Sequence, residues 1–414
     1  AAQALITTAP ENMQGWLYEA QAHRMLGAMD AALTVLDQAI DRFPKEVVPL
    51  LRKAAIARQG GRYKDLQNAG ARLIERFPSE IDGLLAIADA EIGTGEFAAA
   101  VETLRRAHKN FGDVERVLLP MGRCLAQTGS DARELMDVAN RLIQTAPGRV
   151  QGYLYSVTAL EMRGQISEAE VVLDAVPASL AQRTEILNSR AKLATLRGDV
   201  SKLLEIAETF LQAHPDKVQG WIHRINAYEQ CGQTEQSARA LTAAMQRFSH
   251  ELPLLRCKRT FARTHERWTE LLSTGQAMAR LFPAEADGPL ACSEAYAKLG
   301  NLGAATDTLQ QARTRFGSSE KILIPLGQLL IKYKEVEALA EVGAVLSESH
   351  PKNFNGPWFQ AQALALAGDT AQAIEILRSA DKAHNKNTQI KRSLANLLLN
   401  QESFSAAVLV AEEI

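Results

Sequence analysis

The spacing of the prolines constrains this chain more than any other feature. Pro10, Pro44 and Pro78 stand 34 residues apart, Gly112 takes the next place, and Pro147 follows. Pro215, Ser249, Pro283, Gly317 and Pro351 carry the register onward in 34-residue steps. The residue before the break is often aromatic or histidine, as at Phe43, Phe77, Phe111, His214, Phe248, Phe282, Phe316 and His350. A second break falls midway through most units, at Gly27, Gly61, Gly95, Gly129, Gly164, Gly198, Gly300 and Gly368, with Gly232 one place off the register. Self-similarity at this period marks stacked supersecondary units.

Each unit reads as helix, glycine turn, helix, proline turn. Apolar residues recur at i, i+3, i+4 and i+7; in the third unit Leu84, Leu85, Ala88 and Ile92 mark the first helix, and Ala99, Ala100, Leu104 and Ala107 the second. Pro49, Pro120, Pro253, Pro289, Pro325 and Pro357 are placed near the start of first helices, where a missing N–H matters least. Pro177 is placed at the end of a shortened second helix around Leu173–Val176, and no proline is expected in mid-helix. Alternating Val, Ile and Thr runs, the strand signal, are missing. The expected fold is all-α.

At this point the resemblance is to the tetratricopeptide repeat. The first full unit reads MQGWLYEAQAHRMLGAMDAALTVLDQAIDRFP. Counting back from Pro44, Trp16 occupies the family's aromatic position and Ala20 its small first-helix position. Ala32, Leu36 and Ala39 occupy the small, large and small positions of the second helix. The resemblance implies a right-handed superhelical solenoid of about twelve helix-turn-helix repeats, with first helices lining an inner groove. The units starting near Glu115, Pro253 and Lys321 match less well, and Glu266 and Lys334 stand where a turn glycine is expected.

Two longer periods lie on top. A glycine near the start of the first helix recurs at Gly15, Gly83, Gly152, Gly220, Gly288 and Gly356, every second unit, where close helix packing is expected. Two halves, residues 1–214 and 215–414 with about six units each, also align. QGWLYEAQA matches QGWIHRINA, VVPLLRKAAIAR matches ELPLLRCKRTFAR, and RVLLPMGR matches KILIPLGQ.

Composition excludes several function classes. A net charge of −2 removes the basic excess expected of a nucleic-acid surface. No apolar stretch reaches the length of a membrane span. Cys124, Cys231, Cys257 and Cys292 form no C-x-x-C pair, so neither a metal site nor a disulfide framework is expected; all four are placed in first helices as small buried hydrophobes. Gly93-Thr-Gly95 joins two helices rather than a strand and a helix, so it fails as a dinucleotide loop. His265-Glu266 lacks the second histidine of a zinc helix. With no G-x-S-x-G, P-loop or Cys/His cluster, neither catalysis nor a cofactor is expected.

The groove positions that the family resemblance implies include Gln21, Arg24, Arg58, Asp89, Arg116 and Arg123 in the first half, and Asn226, Arg256, Arg263 and Lys332 in the second. Glu294, Gln328 and Trp358 belong to the same set. Amides and both charge signs suit an extended peptide or a polar polymer such as a polysaccharide. The family's Lys and Asn pattern for a peptide carboxylate is absent. The first expectation is a non-catalytic scaffold that binds a peptide or protein partner in the concave groove. The second is the repeat array of a larger bacterial enzyme or export machine (a glycosyltransferase, sulfotransferase or polysaccharide-secretion protein), by analogy of fold. The third is self-association through open apolar ends. Both ends read as cut within a repeat, so the chain is expected to be a piece of a longer protein, soluble and either cytoplasmic or periplasmic.

Overall fold

The computed structural model describes residues 2–384 and 387–412. Among them are 26 helices and no strand. After a leading helix, Ala2–Thr8, twelve helix pairs follow, from Met13–Met25 with Met29–Arg42 to Thr388–Asn400 with Phe404–Glu412. The chain divides into two compact units, Ala1–Thr234 and Glu235–Ile414, each a stack of helix-turn-helix repeats.

Within each unit most helices pack on the next, and several first helices of successive repeats also touch. The signature positions of the opening repeat are buried: Ala20, Ala32, Leu36 and Ala39 are all but inaccessible. The first unit's core continues through Leu104, Leu118, Leu125, Leu135 and Leu142, the second unit's through Leu309, Ile322, Leu323, Leu339 and Phe359. Burial of each such side chain contributes about 1.5–3 kcal/mol. The core is thus a strip fed by every repeat, with no single centre.

The turns follow from backbone sterics. Gly95 closes Asp82–Thr94 in the left-handed region, at φ 83°. Its N–H donates to the Ile92 carbonyl, and the Glu96 N–H reaches back to Glu91 at 2.8 Å, so carbonyls that the helix end would orphan are satisfied. After several of these turns an acidic or amide side chain caps the second helix: Asp131, Asp199, Asn301 and Asp369 each accept a backbone N–H two or three residues on. The repeats without a turn glycine are built the same way. Glu266 and Lys334 adopt φ 53° and 58°, and Glu402 joins them at 60°. Each forces a Cβ against its own carbonyl, at a cost of about 1–2 kcal/mol.

The glycines of the two-repeat period lie where a first helix crosses the second helix before it. A Cβ on Gly288 would stand 2.4 Å from the Ala279 backbone nitrogen, and one on Gly275, across the same crossing, 2.9 Å from the Cys292 nitrogen. Gly70 with Gly83 and Gly343 with Gly356 repeat the arrangement. Among the described residues these three crossings are the most closely packed helix pairs. At these three crossings neighbouring repeats are clamped backbone to backbone.

Three expectations are corrected. Pro120 and Pro325 lie inside their helices, Glu115–Thr128 and Glu320–Tyr333, rather than near the start. Both helices begin a full turn earlier than the proline, so each proline removes an N–H that the carbonyl four residues back would have used. Cys231 caps the end of Gln219–Gln230 and is exposed, and Cys257 is only half-buried; Cys124 and Cys292 are buried as expected. The shortened second helix, Ile166–Asp174, is followed by an unforeseen turn of helix, Ala178–Ala181, in which Leu180 is buried. The terminal residues Ala1, Glu413 and Ile414 lie outside the described part of the chain.

Two stability measurements check this account. Gly288→Ala places a methyl against backbone that cannot move aside, and should cost about 2–3 kcal/mol in urea denaturation. Gly15→Ala meets the Ile6 side chain at 3.1 Å first and should cost under about 1 kcal/mol. Glu266→Gly and Lys334→Gly should each raise the midpoint, by about 1 kcal/mol of relieved strain; a loss at both positions would refute the strain.

Candidate binding site

The residues proposed for the groove stand on first helices, and most meet a partner one repeat away. Arg24 donates to Gln21 at 3.1 Å and, across to the next repeat, to Gln59 at 3.0 Å. Arg58 pairs with Asp89 at 2.7 Å and Arg116 with Asp82. Arg149 pairs with Glu115 at 2.9 Å and Lys192 with Glu161 at 2.8 Å. In the second unit Arg256 meets Asp287 at 2.7 Å and Glu285 at 3.0 Å, and Arg263 bonds Glu294 at 2.8 Å. Side chains at like places on neighbouring first helices thus form a ladder of ion pairs. At a solvated surface each rung is worth about 0–1 kcal/mol, so the ladder positions side chains more than it holds the fold.

Two pockets open on these helices, one in each unit. The first encloses about 560 Å³ and draws on four successive first helices. Arg58, Asp89, Arg116 and Arg123 come together there, joined by Arg149, Gln151 and Tyr155 over Leu85, Leu119 and Pro120. The Tyr155 hydroxyl donates to the Leu119 carbonyl at 3.0 Å. Its ring lies over Gly122, where a Cβ would stand 2.3 Å away. Burial pushes the phenol of Tyr155 above its ordinary value, against the opposing pull of Arg123. Among the described residues Arg123 has no ion-pair partner.

The second pocket, of about 580 Å³, gathers Arg263, Glu294, Gln328, Lys332 and Trp358 around Leu290, Ala297, Pro325 and Ile331. Trp358 is held by a hydrogen bond from its indole N–H to Ser393 at 2.9 Å. Gln21, Arg24, Asn226 and Arg256 line neither pocket. Arg256 instead serves Asp287: burial pushes that carboxyl up, but hydrogen bonds from Arg259 and Arg256 outweigh burial and hold it below the usual range. Sequence reasoning missed Arg149, Gln151 and Tyr155, because no groove positions were assigned to the repeat at Val150–Met162. It missed Leu85 and Pro120 because one reads as core and the other as a helix start.

Among the described residues no cluster of three His, Cys, Asp or Glu side chains could hold a metal ion, and no helix is long and apolar enough to cross a membrane.

The sequence model of the tetratricopeptide repeat matches residues 1–47 and 85–150. These are tetratricopeptide repeats. No curated protein matches the sequence. Among solved structures, the chain is similar to the crystal structure of yeast Tom70, at 14% identity over 97% of this chain and 91% of that one, with a TM-score of 0.44. A structure of the APC/C hetero-tetramer Cut9–Hcn1 aligns at 14% identity over 100% of this chain and 88% of that one, TM-score 0.39. The structure of Naa15/Naa10 bound to HypK-THB aligns at 14% identity over 96% and 67%, TM-score 0.35. At such identities and scores none of them speaks to what this chain binds.

His223, on a first helix of the first unit, gives the solenoid a pH dependence. Burial lowers its pKa to about 4 from an ordinary 6.5. Its ring nitrogen bonds Asn188 at 2.8 Å and its edge meets Phe210. The unfolded chain therefore takes up a proton between about pH 6.5 and 4 that the folded chain refuses, so stability falls as pH drops through that window. His223→Gln should flatten this part of a pH series of urea midpoints, and an unchanged slope would refute the assignment.

Proposed function

We propose that this chain is a non-catalytic interaction scaffold whose first-helix face holds a peptide or protein partner. The observation that carries the reading is the recurrence of an open, solvent-facing pocket at the same place in each unit. Each is built from alternate helices of four consecutive repeats, the face that solenoids offer to partners. Pockets of this size, apolar below and polar at the rim, take side chains and short segments. Preformed ion pairs support the same reading, since arginines already ordered by carboxylates lose less freedom on binding.

The reading is tested by placing a photo-cross-linking amino acid at Gln151, in the first pocket, and at Arg76, on a second helix. Irradiation in an extract of the source cells should give protein adducts at Gln151 and not at Arg76. Arg58→Glu with Arg123→Glu should reduce the adducts about tenfold, as loss of charge-assisted contacts does. Adducts confined to Arg76 would move the partner to the other face. Adducts between two copies of the chain would make the surface a self-association site.

A further inference from the structure

The two pockets are copies of one another, so their differences say what each can bind. Arg58 and Asp89 of the first correspond to Arg263 and Glu294 of the second, about 205 residues on, and the ion pair is kept. Leu85 and Pro120 correspond to Leu290 and Pro325. The skeleton is therefore common, and what changes is charge. Arg123 of the first pocket is Gln328 in the second. Arg149, paired with Glu115, gives way to Asn353, whose amide donates to the equivalent Glu320 at 2.9 Å.

Four guanidinium groups and one carboxylate line the first pocket. Three of the four are engaged: Arg58 by Asp89, Arg116 by Asp82 and Arg149 by Glu115. Arg123 has no such partner among the described residues, and it stands beside Pro120 and Tyr155, which supply an apolar floor. An exposed guanidinium with its donors unspent, ringed by three others, is complementary to a carboxylate.

We propose that the first-unit pocket is the docking site for an internal acidic segment of a partner protein. A Glu or Asp side chain pairs with Arg123, and a neighbouring apolar side chain lies on Pro120 and Tyr155. The proposal rests on the scaffold reading above and adds the chemistry of the ligand. The apolar floor favours a peptide, whose aliphatic or aromatic side chain covers it, over an acidic polysaccharide, whose hydroxylated rings offer only narrow C–H faces. The second pocket, with Gln328 at the equivalent place, does not share the preference.

The experiment is selection of an unbiased peptide library, displayed on phage as fusions that leave no free terminal carboxylate, against the whole chain. Arg123→Gln, which installs the side chain the sister pocket already carries, and Arg76→Gln, which removes a cation from a second helix, are selected in parallel. Peptides enriched in Glu and Asp next to Leu, Ile or aromatic residues are expected on the unaltered chain and on Arg76→Gln. Synthetic versions should bind Arg123→Gln about tenfold or more weakly, and far-ultraviolet circular dichroism should report the variants folded. Acidic peptides whose affinity ignores Arg123→Gln would overturn the site. Selected peptides without acidic enrichment would overturn the ligand chemistry and leave the scaffold reading standing. Selection of no peptide would count against both, and polygalacturonate binding that depends on Arg123 would then move the ligand from protein to polysaccharide.

Discussion

A second helix and the first helix that follows it approach, at three crossings, until backbone meets backbone, and the rest of the structure hangs on that contact. At Gly70 with Gly83, Gly275 with Gly288 and Gly343 with Gly356, the nearest atoms to a hypothetical Cβ include main-chain nitrogen or oxygen under 3.0 Å away. Dispersion attraction falls off steeply with distance, so a crossing of this closeness gains packing that bulkier residues would forfeit. It also fixes the angle between helices, because nothing flexible lies between them. Turns, caps and apolar stripes decide that helices form; these crossings decide how far one repeat stands from the next.

From that spacing the candidate sites follow. Side chains about one repeat apart in sequence arrive opposite one another, as Arg58 and Asp89 do in the first unit and Arg263 and Glu294 in the second. A proline in the middle of a first helix, Pro120 or Pro325, then provides a rigid apolar floor beneath them. Neither pocket needs a loop or an insertion. Each is a by-product of repeat geometry with particular side chains placed on it, which is why the chemistry could diverge while the skeleton stayed constant.

Much of this was legible in the sequence, and for definite reasons. The period, the turn glycines and the two-repeat glycine spacing were visible because each reports a steric demand that few residues can meet. The interior position of Pro120 was misread because a proline near the start of an apolar pattern looks like a helix start, and only the backbone shows that the helix begins a turn earlier. Cys231 was assigned to the core as a small residue of a first helix, although it lies just past the helix end. Tyr155 and Arg149 were passed over because pocket membership is a property of four helices at once, and no single repeat carries its signature. The positive φ of Glu266 and Lys334 was foreshadowed by register alone; Glu402 was not singled out, for the final unit was read only as an incomplete helix.

The ladder of ion pairs neutralises much of the cationic charge on the first helices. A ligand anion that seeks Arg58, Arg116 or Arg149 must displace a carboxylate already in place, and that carboxylate then faces water or the ligand itself. Binding there is an exchange, with little net gain for a diffuse polyanion. Among the described residues Arg123 alone offers an unspent charge at the first pocket. On the proposed reading, an anion at any of those three arginines would compete with a resident aspartate or glutamate, and a single carboxylate at Arg123 would not.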